Sequence, residues 1–343
     1  SEQCPATHHL IGEVLQEAGF GGGIVNVITN APDNAADVVS ALIAHPAVRR
    51  INFTGSTGVG KIIAEQAAKQ LKPVLLELGG KAPFLVLDDA DIDAAVDAAL
   101  FGAFFNQGQI CMSTERVIVD QRIADAFVDK FAARAKALKA GDPRDKSHAL
   151  GTLINPASGE KLNSLIEDAV DKGAHLAAGG KAEGVVMQAT VIDGVTSDMR
   201  LYSEESFGPV VAVIRVEGEE EAIRIANDSE YGLSSAVFSR DSARAMKVAG
   251  RLQTGICHIN APTVHDEPQM PFGGVKSSGY GRFGGKAGGH LFYNLVQPYV
   301  QACLSGGQTA HARSAIETAG TILKPQPNSI LANDFRKLRG QTQ

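Results

Sequence analysis

Apolar residues over the first 80 positions switch back and forth between helical and strand spacing. Positions 5–18 repeat at helical intervals, with Pro5 suited to the first turn and Gly19 closing the segment before the glycine run at 21–23. A short apolar run at 24–28 then reads as a strand, 33–45 as a helix, 48–53 as a strand, 58–71 as a helix and 74–78 as a strand. Such alternation predicts a parallel sheet with crossover helices. No strand precedes the first helix, so 1–79 reads as part of a dinucleotide-type domain whose sheet begins in mid-course.

Beyond Gly79 the pattern resumes with longer helices, at 90–105, 122–140, 157–172, 219–227 and 242–250. Strand-like stretches at 84–87, 116–119, 210–216, 236–238 and 256–259 lie between them, and 80–260 is accordingly expected to form a second α/β domain. The segment 261–289 is rich in glycine and is expected to return toward the first domain. The remainder, 290–343, is atypical and polar from about position 305, and is assigned no fold. The expected class is therefore α/β, a partial Rossmann-like cofactor domain followed by an α/β catalytic domain.

A length of 343 residues fits this two-domain reading. With 32 basic and 38 acidic residues and no basic run, the net charge of -6 argues against a nucleic-acid partner. No apolar run approaches the roughly 18 residues of a membrane span, and the N-terminus lacks a basic segment followed by an apolar one. The four cysteines, at 4, 111, 257 and 303, form no C-x-x-C pair, which fits a reducing compartment; the expected location is the cytoplasm.

Three segments carry candidate chemistry. Phe53-Thr54-Gly55-Ser56-Thr57-Gly58-Val59-Gly60-Lys61 follows a strand and opens a helix, where free N–H groups and the helix dipole favour a phosphate. A P-loop would need Ser or Thr where Ile62 stands, and the glycines lack the G-x-G-x-x-G spacing, so the competing reading is a helix start capped by Ser56 or Thr57. Asn106-Gln107-Gly108-Gln109-Ile110-Cys111 ends a helix and precedes a strand. That places Cys111 on a turn, either as a packing cysteine or as a nucleophile already partly ionised near neutrality. Glu77, at the end of an apolar strand, needs either a salt bridge, with Lys81 the nearest partner, or a role as a desolvated general base.

Taken in order, Leu75-Leu76-Glu77-Leu78-Gly79-Gly80, Asn106-Gln107-Gly108-Gln109-x-Cys111, Glu205-x-Phe207-Gly208-Pro209 and Pro271-Phe272-Gly273-Gly274 resemble the motifs of the aldehyde dehydrogenase superfamily. The resemblance runs from Glu2 to about Gly288. Residues 106–116, His258-Ile259-Asn260 and 281–285 are similar to its aromatic-aldehyde branch, which includes salicylaldehyde, benzaldehyde and vanillin dehydrogenases. The resemblance implies the aldehyde dehydrogenase fold and an NAD(P)-dependent oxidation of an aldehyde to the acid in a homodimer. In it Cys111 would attack the aldehyde, the hemithioacetal would pass hydride to the nicotinamide, and Glu77 would activate the water that hydrolyses the thioester. Ser56, after Gly55, would contact the pyrophosphate, Glu205 would hold the nicotinamide ribose with Phe207 near its ring, and Gly55, Gly60, Leu78 and Gly79 would also belong to the cofactor site. Glu2 matches the position that binds the adenosine ribose hydroxyls, which tilts the choice toward NAD over NADP. Ile110, Met112 and Val264 are expected to line a tunnel for a flat aryl ring.

Two departures from the family pattern stand out. Its oxyanion-hole asparagine and a ribose-contacting lysine belong to segments that would precede Ser1, so the chain is expected to be an N-terminally truncated core; the alternative reading is an impaired or inactive folded fragment. Losing one oxyanion donor costs on the order of 10² to 10³ in rate. The stretch 290–343 does not follow the family's C-terminal strand, and a shifted reading frame or a spliced cloning end is expected. Blander readings cover the rest: His258 and His265 as ordinary residues or pocket walls, Phe104 and Phe105 as core packing, and Asp88, Asp89 and Asp91 as a solvated helix start.

Overall fold

The computed structural model describes residues 2–284, so the expectations for 290–343 fall outside the described residues. Helix α1 (Pro5–Glu17) starts at Pro5, whose missing N–H is no loss in a first turn. After it come α2 (Ala35–Ala44), β1 (Ile51–Thr54), α3 (Thr57–Lys69) and β2 (Val74–Glu77). β1 and β2 are parallel, with Thr54 opposite Glu77. The run 24–28 is not the strand expected from its apolar character. It pairs with no strand, Ile28 is 62% exposed, and Val27 packs instead on Gly12 of α1. Apolar side chains make a strand only where a sheet edge takes up their backbone groups.

The main sheet is built from β3 (Ala82–Val86), β4 (Thr114–Asp120), β5 (His175–Ala178), β6 (Thr190–Asp193), β7 (Val210–Val216), β9 (Ser234–Phe238) and β10 (Ile256–Ile259), with the short β8 (Tyr231–Gly232) lying outside it. Its order is β10-β9-β3-β4-β7-β6-β5, parallel except for the β5–β6 pair. Every residue of β3, β4 and β9 is buried, as strands covered by helices on both faces must be. Because side chains alternate along β3, Phe84 and Val86 join Phe104, Phe127 and Phe131 from α4 (Ile92–Phe104) and α5 (Ala124–Ala137) on one face. Leu85 faces the other way, toward α6 (Pro156–Asp171), α7 (Arg200–Ser203), α8 (Gly218–Asn227) and α9 (Ser242–Ala249).

The glycine-rich return closes the fold. β11 (Val275–Lys276) pairs with β8, and β12 (Gly279–Tyr280) adds antiparallel to β2, with Gly279 opposite Glu77. Gly279 has φ +105° and a Cβ there would overlap the Leu76 carbonyl, so only glycine permits this pairing.

Two expectations of packing are corrected. Phe104 is core, but Phe105 is 53% exposed and stacks on Phe101, because the helix ends at Phe104 and the chain turns outward. Asp91 does cap α4, accepting from the amides of Asp93 and Ala94, whereas Asp88 and Asp89 are ion-paired to Arg244 at 2.8 and 2.9 Å.

Arg116 on β4 is fully buried and stands at the C-terminal end of α8. Its guanidinium donates to the carbonyls of Ile225, Ala226 and Asp228, where the helix leaves acceptors without intrahelical partners, and to that of Lys81. Replacing it by methionine, Arg116→Met, strands those carbonyls and is expected to lower the urea-unfolding free energy by about 3 kcal/mol. A variant as stable as the parent would show that water replaces the guanidinium.

Candidate active site

Glu77 closes β2 at the point where the two sheets approach each other. It is 3% exposed, and both carboxylate oxygens are buried without a hydrogen-bond partner among the described residues. The salt bridge to Lys81 does not form. Lys81 enters β3 beside β4, where its Nζ lies 2.6 Å from Glu115, and the Gly79-Gly80 turn separates it from Glu77. Burial raises the Glu77 carboxyl to about 7; the positive field of Arg282 works against this and the negative field of Asp266 adds to it.

Cys111 sits on a turn, as its position between helix and strand predicts. Asn106, Gln107 and Gly108 are all left-handed, with φ of 51°, 57° and 66°. Two of these are not glycine, a local cost of the order of 1 to 3 kcal/mol each that the surroundings must hold in place. Gln109 does so, accepting from the Ile154 amide at 2.8 Å and donating to the Thr152 carbonyl, while Gly108 lies so close to the Gly208 carbonyl that no side chain would fit. The thiol is half-buried but not partly ionised. Burial pushes it up to about 11 and the fields of Glu77 and Glu205 push the same way, while the amides of Cys111 and Met112 oppose them.

Glu205 reaches the same point from the loop before β7. Its Oε1 accepts from the Gly80 amide at 2.8 Å, and a Cβ on Gly79 would stand 2.6 Å from its Oε2. A Cβ on Gly80 would in turn overlap the Cys111 carbonyl. The Gly79-Gly80 pair is therefore the bare surface on which the segments of Glu205 and Cys111 both rest. Burial raises Glu205 to about 7, with the nearby Glu115 adding to the shift. Phe207, with φ 53° and 40% exposed, follows on the same loop.

That loop is fastened by Glu115, which sequence reasoning missed. Its carboxylate accepts from the amides of Ser206 and Phe207 at 2.8 to 3.0 Å and pairs with Lys81, which also donates to Ser206 Oγ. Two charged residues inside apolar strands, Lys81 and Glu115, were the available signal.

The remaining residues divide. Ser56 caps α3, its hydroxyl accepting from the Val59 amide, and both Gly55 and Ser56 are exposed. Gly60 packs on Leu78, whose Cδ2 lies 2.6 Å from where a Cβ would be, so α3 rides close over the strand end that carries Glu77. Ile110, Met112 and Val264 are half-buried; a hydrogen bond between Thr114 and Thr263 hydroxyls at 2.8 Å ties the Val264 segment to the strand after Cys111. Glu2 stands apart, in the turn before α1, with no hydrogen bond or ion pair to the others among the described residues. His258 and His265 face each other edge-on, 5.9 Å between centroids.

Fold and site together define an α/β protein with a thiol, a dry carboxylate and a half-buried one gathered at the Gly79-Gly80 turn between its sheets. Over residues 1–297 the chain matches the model of the aldehyde dehydrogenase family, and it belongs to that family. It is 63% identical over 295 residues to a vanillin dehydrogenase of Pseudomonas fluorescens, covering 86% of this chain and 61% of that protein. Its fold is similar to the crystal structure of a salicylaldehyde dehydrogenase from Pseudomonas putida G7 complexed with salicylaldehyde, at TM-score 0.81 and 55% identity, covering 83% of this chain and 59% of the other. A betaine aldehyde dehydrogenase from Staphylococcus aureus in complex with NAD+ superposes at TM-score 0.79 and 40% identity, over 84% of this chain and 58% of the other. The chain thus spans about three fifths of the length of these relatives.

The unpaired Glu77 carboxylate has a consequence for stability. Its folded value, about 7, lies above the ordinary 4.5, so the folded state holds the proton more tightly and stability is lost as pH rises through 7. Glu77→Gln is expected to match the parent in acid and to exceed it in alkali by up to about 3 kcal/mol, read from urea unfolding at several pH values. A pH-independent difference would sink the idea of a dry, unpaired carboxylate.

Proposed function

We propose that this chain carries the catalytic core of an NAD(P)-dependent oxidation of an aromatic aldehyde to its carboxylic acid. The observation that carries the reading is the convergence of Cys111, Glu77 and Glu205 on the Gly79-Gly80 turn. A thiolate and a desolvated carboxylate are what covalent acyl chemistry requires: a nucleophile that can also leave, and a base for water.

In this reading the Cys111 thiol releases its proton to solvent, the thiolate sulfur bonds to the aldehyde carbon, and the carbonyl π electrons move onto the oxygen. The amides of Cys111 and Met112, which already favour negative charge at the sulfur, stabilise the anionic states there. A bound NAD(P)+ would supply the hydride acceptor for that carbon, held by the residues named below. Glu77 then takes a proton from water as the water adds to the resulting thioester, and the Cys111 thiolate departs. Because only the Glu77 carboxylate can accept a proton, thioester hydrolysis rises as pH climbs through about 7.

The residues present fit the nicotinamide cofactor. The exposed N-terminus of α3 with Gly55 and Ser56 suits a pyrophosphate, and Gly60 lets the helix lie close over Leu78. Glu205 offers a carboxylate oxygen to a ribose hydroxyl and Phe207 an exposed aromatic face. Glu2 is assigned to the adenosine ribose, which favours NAD. Ile110, Met112 and Val264 are assigned to the aryl ring, in line with the vanillin and salicylaldehyde named for the relatives. Residues 1–79 with 261–289 are read as the cofactor-binding part and 80–260 as the catalytic part. No helix among the described residues is long and apolar enough to cross a membrane; a cytoplasmic homodimer completes the proposal.

The test is reduction of NAD+ or NADP+ by the purified chain with substituted benzaldehydes and short aliphatic aldehydes. Aromatic substrates are expected to give the higher kcat/KM, and Cys111→Ala to abolish reduction. Absence of aldehyde-dependent reduction with either cofactor overturns the activity, and a clear preference for aliphatic aldehydes overturns the substrate class. In the active chain Gly79→Ala, whose methyl would displace the Glu205 carboxylate, is expected to raise KM for the cofactor about tenfold while changing kcat less. Equal loss in both would remove Glu205 from cofactor binding.

A further inference from the structure

The Glu77 carboxylate is dry and has no hydrogen-bond partner among the described residues, yet it lies in a field of charges that only some neighbours are free to exert. From β3, Lys81 is closed into its pair with Glu115 and into Ser206. From the loop after α4 comes Cys111, held protonated, and from the loop before β7 comes the carboxyl of Glu205. The segment after β10 brings two opposed charges, Asp266 and Arg282, while His265 on that segment lies 3.2 Å from Glu267.

Arg282 is placed by its own backbone surroundings. Its Nη1 donates to the carbonyls of Gly274 and Gly281 at 2.8 and 2.6 Å, which pins the head group against the glycine return. Between its side chain and Glu77 lies Gly273. The point a Gly273 Cβ would occupy is 2.9 Å from Arg282 Cδ and also 2.9 Å from Glu77 Oε1, so no more than twice that distance separates the arginine stem from the carboxylate. The space between the arginine stem and the carboxylate is that of a missing methyl group, and the Arg282 charge is felt at Glu77 across it. β12 sets this register by pairing Gly279 with Glu77 itself.

We infer that Arg282 is a positioning residue for Glu77, holding the carboxylate by charge across the gap at Gly273. Burial raises the Glu77 carboxyl most, and two residues of one segment adjust it from there: Arg282 favours the anion and Asp266 disfavours it. Removing Arg282 leaves a buried carboxylate with only negative neighbours, which must then hold its proton to higher pH. The consequence for turnover rests on reading Glu77 as the base of aldehyde oxidation, but the electrostatic link does not.

The experiment titrates Glu77 directly, in the full chain with its glutamate carboxyl carbons labelled with carbon-13, the Glu77 signal being identified by its loss in Glu77→Gln. Arg282→Gln keeps a donor for the Gly274 and Gly281 carbonyls while removing the charge, and is expected to raise the Glu77 midpoint by about one unit. Arg282→Lys is expected to leave it within a few tenths of a unit, and Asp266→Asn to lower it. The sign separates this from a purely structural role, since a loosened glycine return would admit water and drop the midpoint toward the ordinary carboxylate value. An unchanged or lowered midpoint in Arg282→Gln overturns the inference. If that variant does not fold, Arg282→Lys decides: a midpoint moved by a full unit in either direction overturns it. In an active chain the alkaline shift should appear again in the pH profile of thioester hydrolysis. A chain inactive toward aldehydes would still yield the titration, so the two readings fail separately.

Discussion

The buried ion pair between Lys81 and Glu115 is the interaction on which the site depends. Taking an ammonium and a carboxylate out of water costs several kcal/mol per ion, and the pair survives because each group has further partners. Glu115 also accepts two backbone amides of the Glu205 loop, and Lys81 also donates to Ser206 on that loop. The pair thus serves as a clamp, bringing a loop from before β7 down onto the start of β3 and β4. Arg116, the next residue along β4, repeats the device in the other direction by tying the end of α8 to the Lys81 carbonyl. Neighbouring charges on one strand therefore fix the loop that carries Glu205 and the helix behind it.

With that loop fixed, the missing side chains at Gly79 and Gly80 decide how dry the site becomes. Glu205 fills the place of one absent methyl and the Cys111 carbonyl fills the other, so little room is left for water around Glu77. The physical result is a coupled trio. Burial pushes Glu77, Glu205 and Cys111 each toward the protonated form, and a negative charge on either carboxylate disfavours one on the thiol. The strained left-handed turn at Asn106 and Gln107 belongs to the same arrangement, since it leads directly into the segment whose Cys111 carbonyl lies over Gly80.

Much of this was legible in the sequence, and the illegible part has a physical pattern. The strands 210–216 and 256–259 were read with their observed bounds, the first as the near-continuous apolar run of a buried parallel strand and the second as a short apolar stretch at the sheet edge, and the long helices were read to within a few residues from their spacing. Glu77 and Cys111 each had a bland local explanation, and the order of the motifs singled them out. What escaped was everything decided by distant partners. The run 24–28 has strand composition but joins no sheet among the described residues; Lys81 has Glu77 four residues away yet pairs with Glu115; β5, β6, β8, β11 and β12 are too short to show a period. The ionisation of Cys111 was misread for the same reason, because a turn with glycine and free amides suggests a thiolate until the two carboxylates packed against it are known.

The protonated state of the trio bears on how such a site can be both stable and reactive. Three acidic groups crowded together would repel one another if all were ionised, and the folded chain reduces that cost by holding the thiol protonated and shifting both carboxyls up to about 7. Reactivity then has to come from whatever alters the local field. A positive charge brought between Glu205 and Cys111 would lower both, and the field of Arg282 lowers Glu77. Because an ionised Glu77 adds its charge to the field that holds the Cys111 thiol protonated, the two groups cannot be tuned independently: whatever frees the carboxylate of its proton raises the cost of freeing the thiol.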